Sequence, residues 1–126
     1  MKINILLPYK EKFDENKASS VSITVRNNLL HTNYLNQIKI FGQDVDNPLF
    51  KDNFVGLKYS ILSLKGKNKF LAQEMLKIIN KDIDKKQLIE IHNRPYLVEE
   101  IIKGNKFIVS LFFHNDPQTM KGSKSI

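Results

Sequence analysis

Three polar segments, each beside an apolar or helical run, hold the side chains that could do chemistry. They are residues 18–20 (Ala-Ser-Ser), residues 92–94 (His-Asn-Arg) and residues 114–125, which begin at His114. An imidazole can carry a proton near neutral pH, hydroxyl and amide groups hydrogen-bond to sugars, and a guanidinium pairs with phosphate or carboxylate. These residue types favour a hydroxyl-rich or anionic ligand.

The segment that begins at His114 is the richest of the three. His114 can donate, accept or carry a proton because the ordinary pKa of histidine is about 6.5. Asp116 can accept hydrogen bonds from sugar hydroxyls, and Gly122 and Ser123 belong to a small, donor-rich stretch. The alternative is an ordinary loop in which a lone histidine has a structural role.

The other two segments each allow a functional and a structural interpretation. The first precedes a helical stripe, so it would lie at a helix N-terminus, where free N–H groups and the helix dipole favour phosphate. The alternative is that Ser19 or Ser20 is only an N-cap. In the second, His92 and Asn93 follow a strand and could contact a substrate, and Arg94 could pair with phosphate. The alternatives are a histidine that ends the strand and an arginine in an exposed turn.

The elements that must position these segments alternate between strand and helix patterns. This alternation predicts the α/β class with a mainly parallel sheet. Helices are expected over 17–30, from 67 onwards and from Pro95, which would occupy the first helical position. Strands are expected at 2–7, 38–41, 88–91 and 106–113, and residues 54–57 form either a strand or a buried loop segment.

The strand predicted at 106–113 is apolar on both alternating faces. Such a strand is typical of the middle of a parallel sheet, covered by helices on each side. Ligands of open α/β sheets bind outside the carboxyl ends of the strands. The polar residues from His114 onwards therefore lie where a ligand is expected.

The composition limits the function classes. The 126 residues fit one domain, and the net charge of +7 suits a polyanion or an anionic membrane surface, although dispersed lysines equally fit a lysine-rich genome. Without cysteine there is no disulfide or thiolate site, and the three histidines lack metal-ligand spacing, so we expect no metal or cofactor. Neither a membrane-spanning run nor a signal peptide is present in the sequence, which favours the cytoplasm.

Several segments together resemble one enzyme family. The segments KINILLP at 2–8, IEIHNRP at 89–95 and VSLFFHNDPQTMKGSKS at 109–125, with the small-residue helix entry at 18–20, resemble the N-terminal half of a retaining GT-B glycosyltransferase of family 4. The resemblance implies a Rossmann-like three-layer domain over 1–126, an incomplete GT-B N-terminal half. The C-terminal domain, which binds the nucleotide-sugar donor, would then lie outside this sequence.

The resemblance also implies roles for single residues. His114 matches a histidine that reaches into the cleft near the transferred sugar, which makes it the expected catalytic residue. Residues 18–20 match a glycine-rich loop near the donor phosphates, with Ala18 and Ser19 in place of glycine. The resemblance and the residue types together indicate these candidate substrate-binding residues: Ala18, Ser19, Ser20, His92, Asn93, Asp116, Gly122 and Ser123.

The resemblance further implies an envelope glycan or lipid-linked acceptor and peripheral contact with the cytoplasmic face of the inner membrane. Alone, this half is expected to be inactive because it lacks the donor wall of the cleft. The alternatives are a small basic module that binds nucleic acid or an anionic surface, and an inactive α/β remnant. Nucleic acid is disfavoured because the sequence has neither a clustered basic stripe nor a known binding motif.

Overall fold

The computed structural model describes residues 1–58, 66–82, 86–103 and 107–114. In this part of the chain, five parallel strands form one sheet in the order β3-β2-β1-β4-β5, which is a Rossmann-like α/β fold. The predicted class is confirmed. The strands are β1 Lys2–Leu6, β2 Ile38–Gln43, β3 Phe54–Leu57, β4 Gln87–His92 and β5 Ile108–Phe112, and the helices are α1 Ser20–Leu30, α2 Lys67–Ile79 and α3 Leu97–Ile102, with a 3-10 turn at Leu35–Gln37.

The strand order creates a switch point between β1 and β4. From the central β1 the chain builds outward to β2 and β3, and then returns to place β4 and β5 on the other side of β1. The loops that leave β1 and β4 therefore diverge to opposite sides of the sheet, and a crevice opens between them. Ligands of doubly wound sheets bind at such a crevice.

A buried amide pair strengthens the contact between β1 and β4. The Asn4 side-chain amide donates to Gln87 Oε1 at 2.7 Å, and the Gln87 amide donates to the carbonyl of Ile79 at 2.7 Å. Both side chains are buried, so these hydrogen bonds offset the cost of placing amides in the interior. The pair links the middle of β1 and the start of β4 to the end of α2.

Apolar layers cover the two faces of the sheet. On one face, Val21, Val25 and Leu29 of α1 are buried against β1 and β2, which confirms the helical stripe seen in the sequence. On the other face, α2 and α3 pack over the sheet, and Leu71 and Ile101 are fully buried there. Within the described residues, no helix has the length and apolar character needed to cross a membrane.

Within the described residues, the last strand does not take the central position that its apolar pattern predicts. β5 pairs only with β4 among the strands that the structure describes, so it lies at the edge of this sheet. Val109 and Leu111 pack towards α3, whereas Ile108 is 54% exposed and Phe112 is 40% exposed. An apolar pattern shows that both faces suit burial, but it does not show that both faces are covered.

Two other expectations at element boundaries are settled. Residues 54–57 form strand β3 rather than a buried loop. The third helix begins at Leu97, and Pro95 lies in the preceding turn, where its carbonyl accepts from the N–H of Val98 at 3.1 Å. The N–H of Leu97 donates to the carbonyl of Arg94 at 3.0 Å, so this turn leads directly into the helix.

The loop between β1 and α1 is anchored to the loop that follows β2. The Asp14 carboxylate accepts from the backbone N–H groups of Asn16 at 2.8 Å and Asn47 at 3.2 Å. The N–H of Leu49 donates to the carbonyl of Phe13 at 3.0 Å, and the Phe13 ring is buried. This anchoring fixes the loop that leads into α1.

Replacing Asp14 by alanine is expected to lower the melting temperature by several degrees near pH 7. The N–H of Asn16 is the main cause that lowers the pKa of Asp14 below its ordinary value of 3.8, with smaller contributions from Asn47 and Lys17. Because the native pKa is lowered, this stabilisation is present above the ordinary pKa and is lost as the pH falls through the native pKa.

Thermal unfolding followed by circular dichroism near pH 7, and again below the native pKa of Asp14, measures this effect. The difference between Asp14→Ala and the parent should shrink at the acidic pH. The control is Glu15→Ala, which removes an exposed carboxylate from the same loop. Equal melting temperatures for Asp14→Ala and the parent near pH 7 would contradict the anchoring role.

Candidate functional site

His114 follows β5 and is held beside the end of β4 by Asn93. The backbone N–H of His114 donates to Asn93 Oδ1 at 2.6 Å, and the backbone N–H of Asn93 donates to the carbonyl of Phe112 at 2.9 Å. Asn93 is buried and has a φ of 54°, in the left-handed region that asparagine tolerates better than most residues. Asn93 therefore fixes the point at which the chain leaves the sheet.

The side chains of Glu90, His92 and His114 form a hydrogen-bonded line, the Glu90–His92–His114 line. His92 Nε2 lies 2.7 Å from Glu90 Oε2, and His92 Nδ1 lies 2.8 Å from His114 Nε2. Glu90 and His92 are two residues apart in β4, so they share one face of the strand. Residues on neighbouring parallel strands are in register there, with His92 beside Phe112.

Aromatic packing keeps the two imidazoles in place. The Phe112 ring centroid lies 5.1 Å from that of His92 and 4.7 Å from that of His114. His92 is fully buried, whereas His114 keeps part of its surface exposed. A ligand at the carboxyl edge of the sheet can therefore contact His114 directly. His92 acts on that ligand indirectly, through its hydrogen bond to His114.

Burial lowers the pKa of His114 below the ordinary 6.5, and the neighbouring His92 lowers it further. The negative charges of Glu11 and Glu90 act in the opposite direction and raise it. Since the net shift is downward, His114 is predominantly neutral at pH 7. A neutral imidazole has one donor and one acceptor nitrogen, so it can bind a hydroxyl group or accept a proton.

The loop after β1 reaches the same site through Glu11. The carboxylate of Glu11 accepts a hydrogen bond from Ser19 Oγ, and its charge acts on His114. Ser19 is the N-cap of α1, but its hydroxyl does not cap the helix and lies 3.3 Å from Ser22 Oγ. A carboxylate thus lies at the helix N-terminus where the sequence predicts a phosphate.

The structure brings together some of the predicted site residues. Residues 18–20 lie at the start of α1 as expected, and Ser19 is linked to the site through Glu11; the described part gives no contact between Ala18 or Ser20 and His114. His92 and Asn93 both contact His114, through its ring and its backbone respectively. Asp116, Gly122 and Ser123 lie outside the described residues.

Arg94 is half-buried, and its guanidinium donates to the carbonyl of Asn93 at 2.7 Å. It is therefore not simply an arginine in a solvent-exposed turn. This hydrogen bond adds a second support to the left-handed residue that holds His114.

Two residues of the site, Glu90 and Glu11, are missing from the sequence prediction. Glu90 could have been found, because the alternation of side chains in a strand places it on the same face as His92. No comparable signal marks Glu11, which is one of several charged residues in its loop. Its proximity to His114 depends on how the loop folds.

The described residues give no support for a metal centre. Among them, no three His, Asp or Glu side chains are arranged to hold a metal ion. The carboxyl edge also holds a polar pocket of about 120 Å³, next to the end of β2. Its lining includes two lysines and three aspartates, whose charges largely offset each other: Lys12, Asp14, Lys17, Gln43, Asp44, Val45 and Asp46.

Replacing Glu11 by glutamine is expected to lower the pKa of His114 further, since the Glu11 charge raises it. The shift is measured by following the His114 ring protons by NMR as the pH is varied. The control is Glu15→Gln, which makes the same charge change at an exposed position of the loop. An unchanged or raised pKa of His114 in Glu11→Gln would show that the two side chains do not interact.

The lowered pKa of His114 also has a defined effect on stability. As the pH falls, the unfolded chain binds this proton first, because its histidine keeps the ordinary pKa. The stability that comes from neutral His114 is therefore complete above about 6.5 and is lost as the pH falls towards the native pKa.

Comparison of this chain with protein-family models, with curated proteins and with solved structures finds no match.

Proposed function

We propose that this chain is the acceptor-side half of a retaining GT-B glycosyltransferase, which transfers a sugar from a nucleotide-sugar to an envelope glycan or a lipid-linked acceptor. The fold is of the required kind, a Rossmann-like α/β domain. The motif residues that carry the resemblance to family 4, His92, Asn93 and His114, are in mutual contact. Motif and geometry therefore point to the same part of the molecule.

The observation that carries the proposal is the position and state of His114. It lies at the carboxyl edge of the sheet, where ligands of doubly wound folds bind, and part of its surface is exposed. Its backbone is fixed by Asn93 and its ring by His92. A neutral, partly exposed and rigidly held imidazole is well suited to hydrogen-bond a sugar hydroxyl.

The remaining chemistry requires a second domain. In the proposed enzyme the donor domain binds the nucleotide-sugar and faces the carboxyl edge of this sheet across a cleft. Closure of such a cleft excludes water and holds donor and acceptor in a reactive geometry. The 126-residue chain alone is accordingly expected to transfer no sugar.

The charge of the chain fits the proposed acceptor. A net charge of +7 favours an anionic membrane face or a phosphorylated acceptor. An enzyme that modifies a lipid-linked acceptor must approach the membrane from the side on which nucleotide-sugars are made. We therefore expect the proposed enzyme to work in the cytoplasm, in peripheral contact with the inner membrane.

The test is a transfer assay with the protein produced from its complete reading frame. The protein is incubated with a panel of labelled nucleotide-sugars, and with envelope lipid extract or soluble glycans as acceptors. We expect label to enter the acceptor with retention of the anomeric configuration and with release of the nucleotide. A folded protein that consumes none of the donors with either type of acceptor would overturn the proposal.

A further inference from the structure

We infer that Glu90, acting through His92, fixes the tautomer of His114 so that its proton is on Nε2 and its Nδ1 lone pair is offered to the ligand. His114 then selects a ligand group that donates a hydrogen bond. The basis is the Glu90–His92–His114 line, in which His92 Nε2 lies 2.7 Å from Glu90 Oε2 and His92 Nδ1 lies 2.8 Å from His114 Nε2.

Glu90 determines which nitrogen of His92 carries the proton. An ionised carboxylate has no proton and can only accept hydrogen bonds. Glu90 Oε2 lies 2.7 Å from His92 Nε2, so this nitrogen must be the one that donates. The carboxylate thereby decides which nitrogen of His92 carries the proton.

His92 passes this constraint on to His114. A neutral imidazole carries one N–H, and His92 has used it towards Glu90, so its Nδ1 must accept. The partner at 2.8 Å is His114 Nε2, which therefore donates. A cationic His92 would instead donate from both nitrogens and reverse the tautomer of His114, and the ¹⁵N measurement described below distinguishes the two states.

Within the described part of the chain, the His114 ring has a hydrogen-bond partner at Nε2 and none at Nδ1. The two ring nitrogens of an imidazole point in nearly opposite directions, so Nδ1 faces away from the buried His92. Among the residues that the structure describes, the other negative group that acts on His114 is Glu11, whose carboxylate already accepts a hydrogen bond from Ser19. With Nε2 protonated and the ring neutral, Nδ1 offers a lone pair and repels acceptor atoms.

The chemical consequence is a preference for a hydroxyl over a phosphate or an ether oxygen. Identification of that hydroxyl as one of the sugar hydroxyls rests on the proposed function, whereas the tautomer does not. Loss of a hydroxyl from a substrate that a site is built to hydrogen-bond leaves a buried polar group unpaired. A deoxy sugar that lacks the bound hydroxyl is therefore expected to react about 10- to 100-fold more slowly.

The tautomer is measured directly by NMR on the chain labelled with ¹⁵N-histidine. Two-bond and three-bond proton–nitrogen couplings distinguish a protonated Nε2 from a protonated Nδ1, and the chain has three histidines to assign. We expect His114 and His92 to be protonated on Nε2. A proton on Nδ1 of His114, or a doubly protonated His92, would overturn the inference.

Glu90→Gln tests whether the carboxylate is the cause. A glutamine amide can donate as well as accept, so the constraint on His92 is removed and His114 should show both tautomers. The control is Glu99→Gln, a change of an exposed glutamate on α3, which should leave the His114 signals unchanged. A His114 tautomer that is the same in Glu90→Gln as in the parent would show that Glu90 does not set it.

A second measurement uses transfer activity in the protein from the complete reading frame. The side-chain amide of asparagine can occupy the place of imidazole Nδ1, whereas the longer glutamine reaches the place of Nε2. We expect His114→Asn to retain more activity than His114→Gln and His114→Ala. Equal losses in all three variants would contradict acceptance at Nδ1.

The two proposals can fail separately. An inverted tautomer with intact sugar transfer would overturn this inference and leave the proposed function standing. The expected tautomer in a protein that consumes no nucleotide-sugar would overturn the proposed function and leave this inference standing.

Discussion

Replacing His114 by alanine in the protein from the complete reading frame is expected to lower the rate of sugar transfer about 10- to 100-fold. The variant leaves the sugar hydroxyl without its acceptor in the closed cleft, a penalty of about 1–3 kcal/mol that corresponds to a factor of roughly that size. The protein should remain folded, but with a lower melting temperature, because the buried Nδ1 of His92 loses its partner. Activities are therefore compared at a temperature at which circular dichroism shows both proteins to be folded.

The matched control is His31→Ala. His31 is exposed at the C-terminal end of α1, away from the carboxyl edge of the sheet. The His31→Ala variant should transfer sugar at the parental rate. This result excludes the loss of any one histidine as the cause of the lower activity of His114→Ala. If His114→Ala transfers sugar at the parental rate, His114 has no part in the reaction, whatever its place in the fold.

Replacing Asn93 by alanine is expected to lower the free energy of unfolding by about 2–5 kcal/mol. Part of this comes from the N–H of His114, which loses its acceptor at 2.6 Å; an unpaired polar group of this kind costs about 1–3 kcal/mol. The rest comes from the φ of 54°, since the left-handed region costs an alanine about 1–2 kcal/mol. Urea denaturation followed by fluorescence or circular dichroism gives the difference.

Asn93→Gly separates the two contributions. Glycine tolerates a positive φ but provides no side-chain acceptor, so this variant should be about 1 kcal/mol more stable than Asn93→Ala and still less stable than the parent. Both variants should transfer sugar more slowly, because His114 is no longer held in place. Parental stability in Asn93→Ala would mean that neither the left-handed backbone at Asn93 nor its hydrogen bond to His114 contributes to the free energy of unfolding.

Much of the fold follows from periodicity in the sequence. The apolar runs that become β1, β2 and β4, and the stripe of Val21 and Val25, report burial directly, because buried positions recur with the period of the element. The position of β5 does not follow in this way. Whether Ile108 and Phe112 are covered depends on which elements pack beside them, and the sequence of one strand contains no information about that.

The site is predictable only in part for a related reason. His114, His92 and Asn93 stand out by residue type, and their location after strands places them at the carboxyl edge. Their contacts depend on the register between β4 and β5, which sets His92 beside Phe112. This register brings His92 Nδ1 to 2.8 Å from His114 Nε2. Register is a long-range property of pairing strands, whereas residue type and alternation are local.

The central position of β1 has a consequence for synthesis on the ribosome. One edge of β1 pairs with β2, but its other edge must wait for β4, and 83 residues separate Asn4 from its partner Gln87. At about 5–20 residues per second, translation leaves that edge open for roughly 4–17 s. During this interval the nascent chain exposes an open edge of the apolar strand β1, which can pair with other chains.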